Sequence, residues 1–411
     1  MATILIAGGS LSGLLHAVFL RRDGHDVGVY ERVAENMSSR GGGIATQPPL
    51  WQALENAGVL QPESKRPGVA LRERVVFDKN GRVTASRTHH QIVTSWDSLY
   101  RLLRPALPDK FYHQGREVLG LEEDDQGVRL LFRNGAREQG DMIIAADGSR
   151  STLRAQLLPG HKPAYAGYVA WRGLVAESAL DAATRDALCE RMSFFTPEKE
   201  QILIYSVPGE QGETEPGSRR LNFVWYRPAP AGGELEDLLT GEDGTRYEVA
   251  IPPPAIARRT IADMREAAAR LLPPPMRNMV LSTESPFLQP VYDLRASRLA
   301  VGRAALVGDA AVLARPHPGA GTTKAFQDAW ALRQVLLTQL GPGGSPDWKD
   351  DTRLRAALAQ YDHERAEPSR AVWEHSRFLG THLVPGSVGG RAPGQDQHPI
   401  TLLHNTALGM H

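Results

Sequence analysis

The chain is poor in cysteine, with only Cys189 among its 411 residues. A lone thiol excludes an intrachain disulfide, and no ligand pattern around it suggests a structural zinc site, so a reducing cytoplasm and a role as a small buried hydrophobe are expected. Neither sign of charge is in excess, because Lys+Arg and Asp+Glu both number 47. That balance gives no footing to nucleic acid or an anionic membrane and points to a small partner. No apolar run is long enough to span a bilayer. The apolar start has no basic leader, and Gly8, Gly9 and Gly13 interrupt it, which argues against a signal peptide. A chain of this length is long for one hydrophobic core, so two joined domains are expected.

Against these absences stands a dense N-terminal pattern. A short apolar run over residues 4–7 leads into Gly8-Gly9-Ser10, an apolar-periodic segment over 14–20, and a second apolar run ending in Glu31-Arg32. Strand, glycine turn, helix and strand in that order form the unit that holds a dinucleotide. Gly8 suits the tight turn and Gly13 the close approach of helix to strand, while the helix N-terminus faces a pyrophosphate. Glu31 then offers a carboxylate to a ribose. The middle glycine of the usual fingerprint is Ser10 here, so a glycine turn in some other α/β protein is the bland alternative.

Further on, Gly41-Gly42-Gly43 precedes a short apolar segment, as either a flexible turn or a backbone that must approach a flat ligand. Residues 50–57 are apolar at helical spacing. Asp78-Lys79-Asn80-Gly81 between β-rich runs is a hairpin signal, and 118–132 reads as two strands around an acidic turn. A helix follows Ser95, with Ser95 or Asp97 as its cap. The second signature is an apolar strand ending in Asp147-Gly148, with a helix beginning at Ser149 or Ser151. Residues 165–290 are rich in β-formers and alternating aromatics and predict one sheet over a pocket, with exposed loops at 209–218 and 229–245. Residues 261–272 predict an amphipathic helix stopped by Pro273. The third signature is an apolar strand, Gly308-Asp309-Ala310, then Arg315-Pro316-His317-Pro318-Gly319-Ala320-Gly321-Thr322-Thr323 leading into a helix to about 337. Its first amides form a pocket of partial positive charge suited to an anionic ring edge. Residues 352–383 predict a helix kinked or broken at Pro368, and 385–399 a mobile tail.

These three signatures together resemble the single-component FAD-dependent aromatic hydroxylases, the group A flavoprotein monooxygenases, across nearly the whole chain. Within that family the likeness is to the pyridine-ring hydroxylases, on residues 165–173, Leu221-Asn222-Phe223-Val224-Trp225-Tyr226 and Arg315-Pro316-His317. The resemblance implies an α/β fold, with a Rossmann-like FAD-binding domain over 1–72, 91–160 and 291–340. It implies an inserted β-sheet substrate domain over 73–90 and 161–290, a helical segment over 350–384 and a flexible tail over 385–411. By resemblance, FAD contacts fall to Ser10, Gly13, Glu31, Arg32, Gly43, Asp147, Asp309, Gly321 and Thr322. The Thr322 and Thr323 amides serve the flavin edge, and Gln47 the flavin or substrate. The family's arginine is replaced by Trp96, which leaves Arg101 as the candidate for that contact, and its histidine after Gly-Asp-Ala is replaced by Ala311-Val312. The implied reaction uses NADH or NADPH and O2 to hydroxylate a small electron-rich aromatic or heteroaromatic ring through a flavin C4a-hydroperoxide. Tyr205 is the residue expected to help ionise the substrate, and His317 the alternate acid, base or relay, unless it only shapes its loop. No metal is implied, and homodimerisation stays open. The competing readings are a flavin-dependent halogenase, a nicotinamide dehydrogenase and a flavin-binding module without turnover.

Overall fold

The computed structural model describes residues 1–35, 37, 42–380, 403, 404 and 406. Three sheets organise the described residues. In the first, the strand Thr3–Ala7 lies between Asp26–Tyr30 and Met142–Ala145, parallel to both, and Ala304–Leu306 runs parallel beyond Met142–Ala145. All four run the same way, so the residues that follow them, Gly8, Glu31, Ala146 and Val307, come out at one edge. Each exit is tied to its neighbour: the Gly8 amide donates to the Tyr30 carbonyl at 2.9 Å, Ala146 to Ala7 at 2.8 Å and Val307 to Ala145 at 3.1 Å. This is the carboxyl edge where open α/β sheets bind ligands. The strands are apolar on both faces because both are covered, by the helix Leu11–Arg22 beside Ile6 and by the strand Arg137–Gly140 beside Leu5, with Ile4, Ile6, Met142 and Ile144 fully buried.

The second sheet has nine strands and unites segments from both halves of the chain. Ala164–Ala176, Gln201–Val207, Arg220–Pro228 and Phe287–Arg295 pair antiparallel, as the alternating aromatics predict. The Asp78 hairpin also joins this sheet: Asp78 Oδ1 accepts from the Asn80 and Arg82 amides, and Gly81 takes φ +83°. Its strands, Val69–Phe77 and Val83–Ser95, are longer than expected, and Gly43–Ala45 adds to their edge. The sheet therefore extends past both limits set for the substrate domain. A period of two sorts its side chains by face. Trp171, Phe223 and Trp225 pack outward with the helices Arg258–Leu271 and Pro274–Leu281. Tyr168, Tyr205, Asn222 and Tyr226 are buried on the other face, which turns toward the nucleotide sheet.

A third sheet, Val118–Asp124, Gly127–Phe132 and Arg137–Gly140, flanks the first. The helix after the second signature is Thr152–Leu157, capped by Ser151, whose Oγ accepts from the Arg154 amide at 2.9 Å. The loop at 229–245 contains one helix the pattern hides, Glu234–Leu238, held by buried Leu235 and Leu239. The last helix, Asp351–Gly380, runs through Pro368 without interruption. Of the segment expected to be a mobile tail, the described residues Leu403 and Thr406 are buried, and Arg74 donates to the Thr406 carbonyl. Among the described residues no helix is long and apolar enough to cross a membrane.

Candidate active site

The turn after the first strand is built as its glycines require. Gly8 has φ +101°, and a Cβ there would lie 2.2 Å from the Ala146 carbonyl oxygen. At Gly13 a Cβ would lie 1.9 Å from the Gly8 carbonyl oxygen, so the helix Leu11–Arg22 sits directly on the turn. Ser10 caps that helix without a side-chain hydrogen bond. Glu31 is used more heavily by the protein than its ribose role suggests. Its Oε2 accepts from the Gly9 amide at 2.8 Å and its Oε1 from the Val33 amide at 2.9 Å. The carboxylate thereby welds the turn to the end of the second strand, and each oxygen keeps a lone pair for a ligand.

Gly8, Ser10, Glu31, Arg32 and Asp147 line one cavity of about 240 Å³, and Arg116 and Arg150 line it with them. Asp309 lines a neighbouring cavity of about 120 Å³ with Gln289 and Leu313, and Arg150 borders both. A cation at that joint is placed to meet a pyrophosphate, and sequence reasoning missed it because Arg150 in a polar turn has no pattern of its own. Asp147 accepts from the Leu153 amide at 3.2 Å through Oδ2, while its buried Oδ1 has no partner among the described residues. Burial raises the Asp147 carboxyl, against the hydrogen bonds of Ser151 and the helix amides. Asp309 is exposed to water, yet crowding by the cleft walls raises its carboxyl too, with Lys324 opposing. Arg154 ties the second signature to the third by donating to the Ser149 carbonyl at 2.8 Å and the Ala310 carbonyl at 3.0 Å.

The third signature rests on a buried ionic core. Asp328 Oδ2 accepts from Lys324 Nζ at 2.7 Å and from the Gly308 amide at 3.1 Å, and its Oδ1 accepts from Arg365 at 2.9 Å. Gly308, at φ +55°, is thus held on both sides, since Lys324 also donates to its carbonyl at 3.0 Å. The turn over 316–320 is clamped by Gln47, whose Nε2 donates to the Gly319 carbonyl at 2.9 Å and whose Oε1 accepts from Thr323. The long helix Gly321–Leu340 begins there, so the Gly321, Thr322 and Thr323 amides sit where expected. Beyond Gln47 and Thr323 opens a cavity of about 970 Å³ between that helix, the last helix and the hairpin strands.

His317 is buried under the turn, with its Nε2 2.7 Å from the Tyr168 hydroxyl and its ring 4.4 Å from that of Tyr226. Gly380 of the last helix closes over the pair, because a Cβ there would come within 2.6 Å of the Tyr168 hydroxyl. Tyr205 packs on Gly43 so closely that a Cβ would meet its ring at 2.6 Å. Burial pushes the Tyr205 phenol up to about 12, with Arg172 opposing. Arg101 lies apart from these groups, 3.4 Å from Asp97 and facing Gly212, and lines neither the cavity at Asp147 nor the one at Asp309. Trp96 stacks on Tyr100 at 5.0 Å. Gly41, part of the triple glycine, lies outside the described residues.

Comparison with known proteins agrees with this geometry. A 2,6-dihydroxypyridine 3-monooxygenase of Paenarthrobacter nicotinovorans is 33% identical over 95% of this chain and 93% of its own. The chain belongs to the FAD-dependent aromatic monooxygenases. The solved 2,6-dihydroxypyridine-3-hydroxylase of Arthrobacter nicotinovorans superposes with a TM-score of 0.85 at 29% identity, covering 100% of this chain and 96% of that one. Klebsiella pneumoniae HpxO, solved with FAD and uric acid, gives a TM-score of 0.71 at 25% identity, over 92% of this chain and 87% of its own. A family model described as FAD binding domain-like matches residues 165–293. The match over the whole length decides for the hydroxylase family over the halogenase, dehydrogenase and non-catalytic readings. FAD is the cofactor of this enzyme, reduced by NAD(P)H, and the residues fit it: a turn that admits only glycine, a buried acceptor at Asp147 and a cation at Arg150.

Proposed function

We propose that this monooxygenase hydroxylates a small hydroxylated N-heteroaromatic ring of the dihydroxypyridine type. The observation that carries the reading is the polar face of the nine-stranded sheet. It sets Tyr205, Asn222 and Arg172 against the bare backbone of Gly42 and Gly43, beside the cofactor cleft. Bound FAD supplies electron storage and oxygen activation. The protein's share is to hold the ring, exclude water and manage one proton. Tyr205 stays protonated at neutral pH, because its phenol is pushed up to about 12. It therefore acts as an O–H donor to a substrate oxygen and not as the base. The His317–Tyr168 pair, joined at 2.7 Å, is the group proposed to pass the proton. In the cofactor set we place Ser10, Gly13, Glu31, Arg32, Asp147 and Asp309 along the dinucleotide, with Arg150 added. Gly43, Gln47, Gly321, Thr322 and Thr323 serve the ring end. The test is NAD(P)H oxidation by the FAD-loaded enzyme with and without 2,6-dihydroxypyridine, related hydroxypyridines, urate and simple phenols, with mass detection of one added oxygen. A hydroxypyridine that stimulates oxidation and gains oxygen supports the reading. Oxidation indifferent to every ring, with no oxygenated product, overturns it.

A further inference from the structure

The flavin-facing side of the nine-stranded sheet carries a cation with no counterion among the described residues. Other arginines on and around the sheet, Arg219, Arg220, Arg227 and Arg315, each pair with a carboxylate, Glu177, Asp97, Glu200 and Asp293, at 2.6 to 3.1 Å. Arg172 meets instead the neutral Gln289, whose Oε1 accepts from it at 3.1 Å, and the ring of Phe287. Arg172 is the charged side chain that acts on the Tyr205 phenol among the described residues, opposing the rise that burial causes. A half-buried guanidinium with no counterion and a buried, unsatisfied Nε costs free energy unless an anion joins it.

Two further donors converge on the same spot. Asn222 is fully buried; its Oδ1 accepts from the Gly43 amide at 3.0 Å, but its Nδ2 has no partner among the described residues. Arg172 Nε is likewise buried without an acceptor among the described residues, and Tyr205 stands beside the guanidinium. Gly42 forms the opposing wall, where a Cβ would lie 3.3 Å from Arg172 Nη2 and 3.2 Å from Asn222 Oδ1. Gln289, the partner of Arg172, lines the cavity that holds Asp309. The site is thus a cluster of donors with one positive charge, linked through Gln289 to the cavity that holds Asp309.

Resting on the hydroxylase reading above, we propose that the substrate is taken up already ionised, its ring oxyanion held by Arg172, the Asn222 side-chain amide and the Tyr205 hydroxyl. Arg172 is then the residue that selects anionic rings, a heteroaromatic oxyanion or ring lactamate, over neutral ones. The competing occupant of the same donors is the cofactor itself, and the experiment separates the two.

FAD-loaded wild type, Arg172→Gln and Arg172→Lys are titrated with 2,6-dihydroxypyridine and urate, and with 2,6-dimethoxypyridine as the uncharged control, following the flavin absorbance from pH 6 to 9. Wild type binds a hydroxylated probe more tightly as that probe ionises, and binds the dimethyl ether at least tenfold more weakly. In Arg172→Gln the affinity for the anion falls at least tenfold and its pH dependence flattens, while Arg172→Lys keeps the slope and FAD content is unchanged. The proposal is overturned if Arg172→Gln binds the anions within twofold of wild type, or if it loses FAD while substrate affinity holds. It is also overturned if wild type binds none of the anions or prefers the ether. Oxygenation of a ring by wild type, measured separately, keeps the hydroxylase reading standing in any of those cases.

Discussion

Asp328→Asn tests the idea that the Gly308-Asp309 corner is held by charge and not by packing alone. The carboxylate takes donors on both oxygens, from Lys324 and Gly308 on one and Arg365 on the other. An asparagine has one acceptor and one donor end, so either orientation aims an NH2 at a cation. Lys324 is 1% exposed and keeps no other anionic partner among the described residues. Breaking a buried pair from one side costs about 3 to 5 kcal/mol. Over 411 residues, an unfolding entropy of about 2.1 cal/mol/K per residue converts about 3 kcal/mol into a Tm about 3 to 4 °C lower, if the chain melts as one unit. The assay is differential scanning calorimetry of the FAD-free protein, with FAD affinity from flavin fluorescence quenching. FAD binding weakens as well, because Gly308 loses its anchor and Asp309 follows it. A Tm within 1 °C of wild type together with unchanged FAD affinity would refute the reasoning.

Gly13→Ala drives a methyl to 1.9 Å from the Gly8 carbonyl, a backbone atom that cannot step aside, so the variant is expected to purify without flavin; a yellow protein of wild-type stability would contradict this. Gly380→Ala sets a methyl 2.6 Å from the Tyr168 hydroxyl and 3.1 Å from His317 Nε2. Steady-state kinetics should show kcat falling about tenfold or more with FAD retained, and an unchanged kcat removes the pair from proton transfer. Tyr205→Phe is expected to lower the fraction of NAD(P)H coupled to product while FAD stays bound, and equal coupling excludes its donor role. Because the phenol is pushed up to about 12, it does not titrate between pH 6 and 10. The shape of the kcat/KM profile in that range therefore stays the same in Tyr205→Phe, and a limb that vanishes there would make Tyr205 the titrating group.

The cofactor half of the site was legible in the sequence because its requirements are local. A positive φ at Gly8, a contact closer than any side chain permits at Gly13 and a carboxylate at a strand end each leave a mark within a few residues. The substrate half was legible only as a sheet. Its face is assembled by register: Tyr205 stands opposite Asn222, and Arg172 opposite Val224 and Phe287. Those residues come from strands tens of residues apart, and no local period says which arginine will lack a partner. Arg150 escaped notice for a similar reason, since two cavities define its place and the sequence shows only a polar turn. Arg101 was legible as a charge near the expected position, yet Asp97, one helical turn earlier, takes hold of it.

The two halves answer to different physics, which bears on how one fold serves many rings. At the nucleotide edge, backbone amides and glycine contacts set the geometry, so a single added methyl is intolerable and little can vary. On the sheet face the cofactor leaves the side chains free, and function turns on which of them lacks a partner. Arg219, Arg220, Arg227 and Arg315 are neutralised and act as structure. Arg172 faces a glutamine where each of them faces an acid. A Gln289→Glu substitution should therefore close the site electrostatically: the new carboxylate pairs with Arg172, and an anionic ring must displace it to bind. The expected result is a rise in KM for a hydroxypyridine substrate of about tenfold with FAD affinity and Tm near wild type. A KM that does not move would mean that the guanidinium charge takes no part in choosing the substrate.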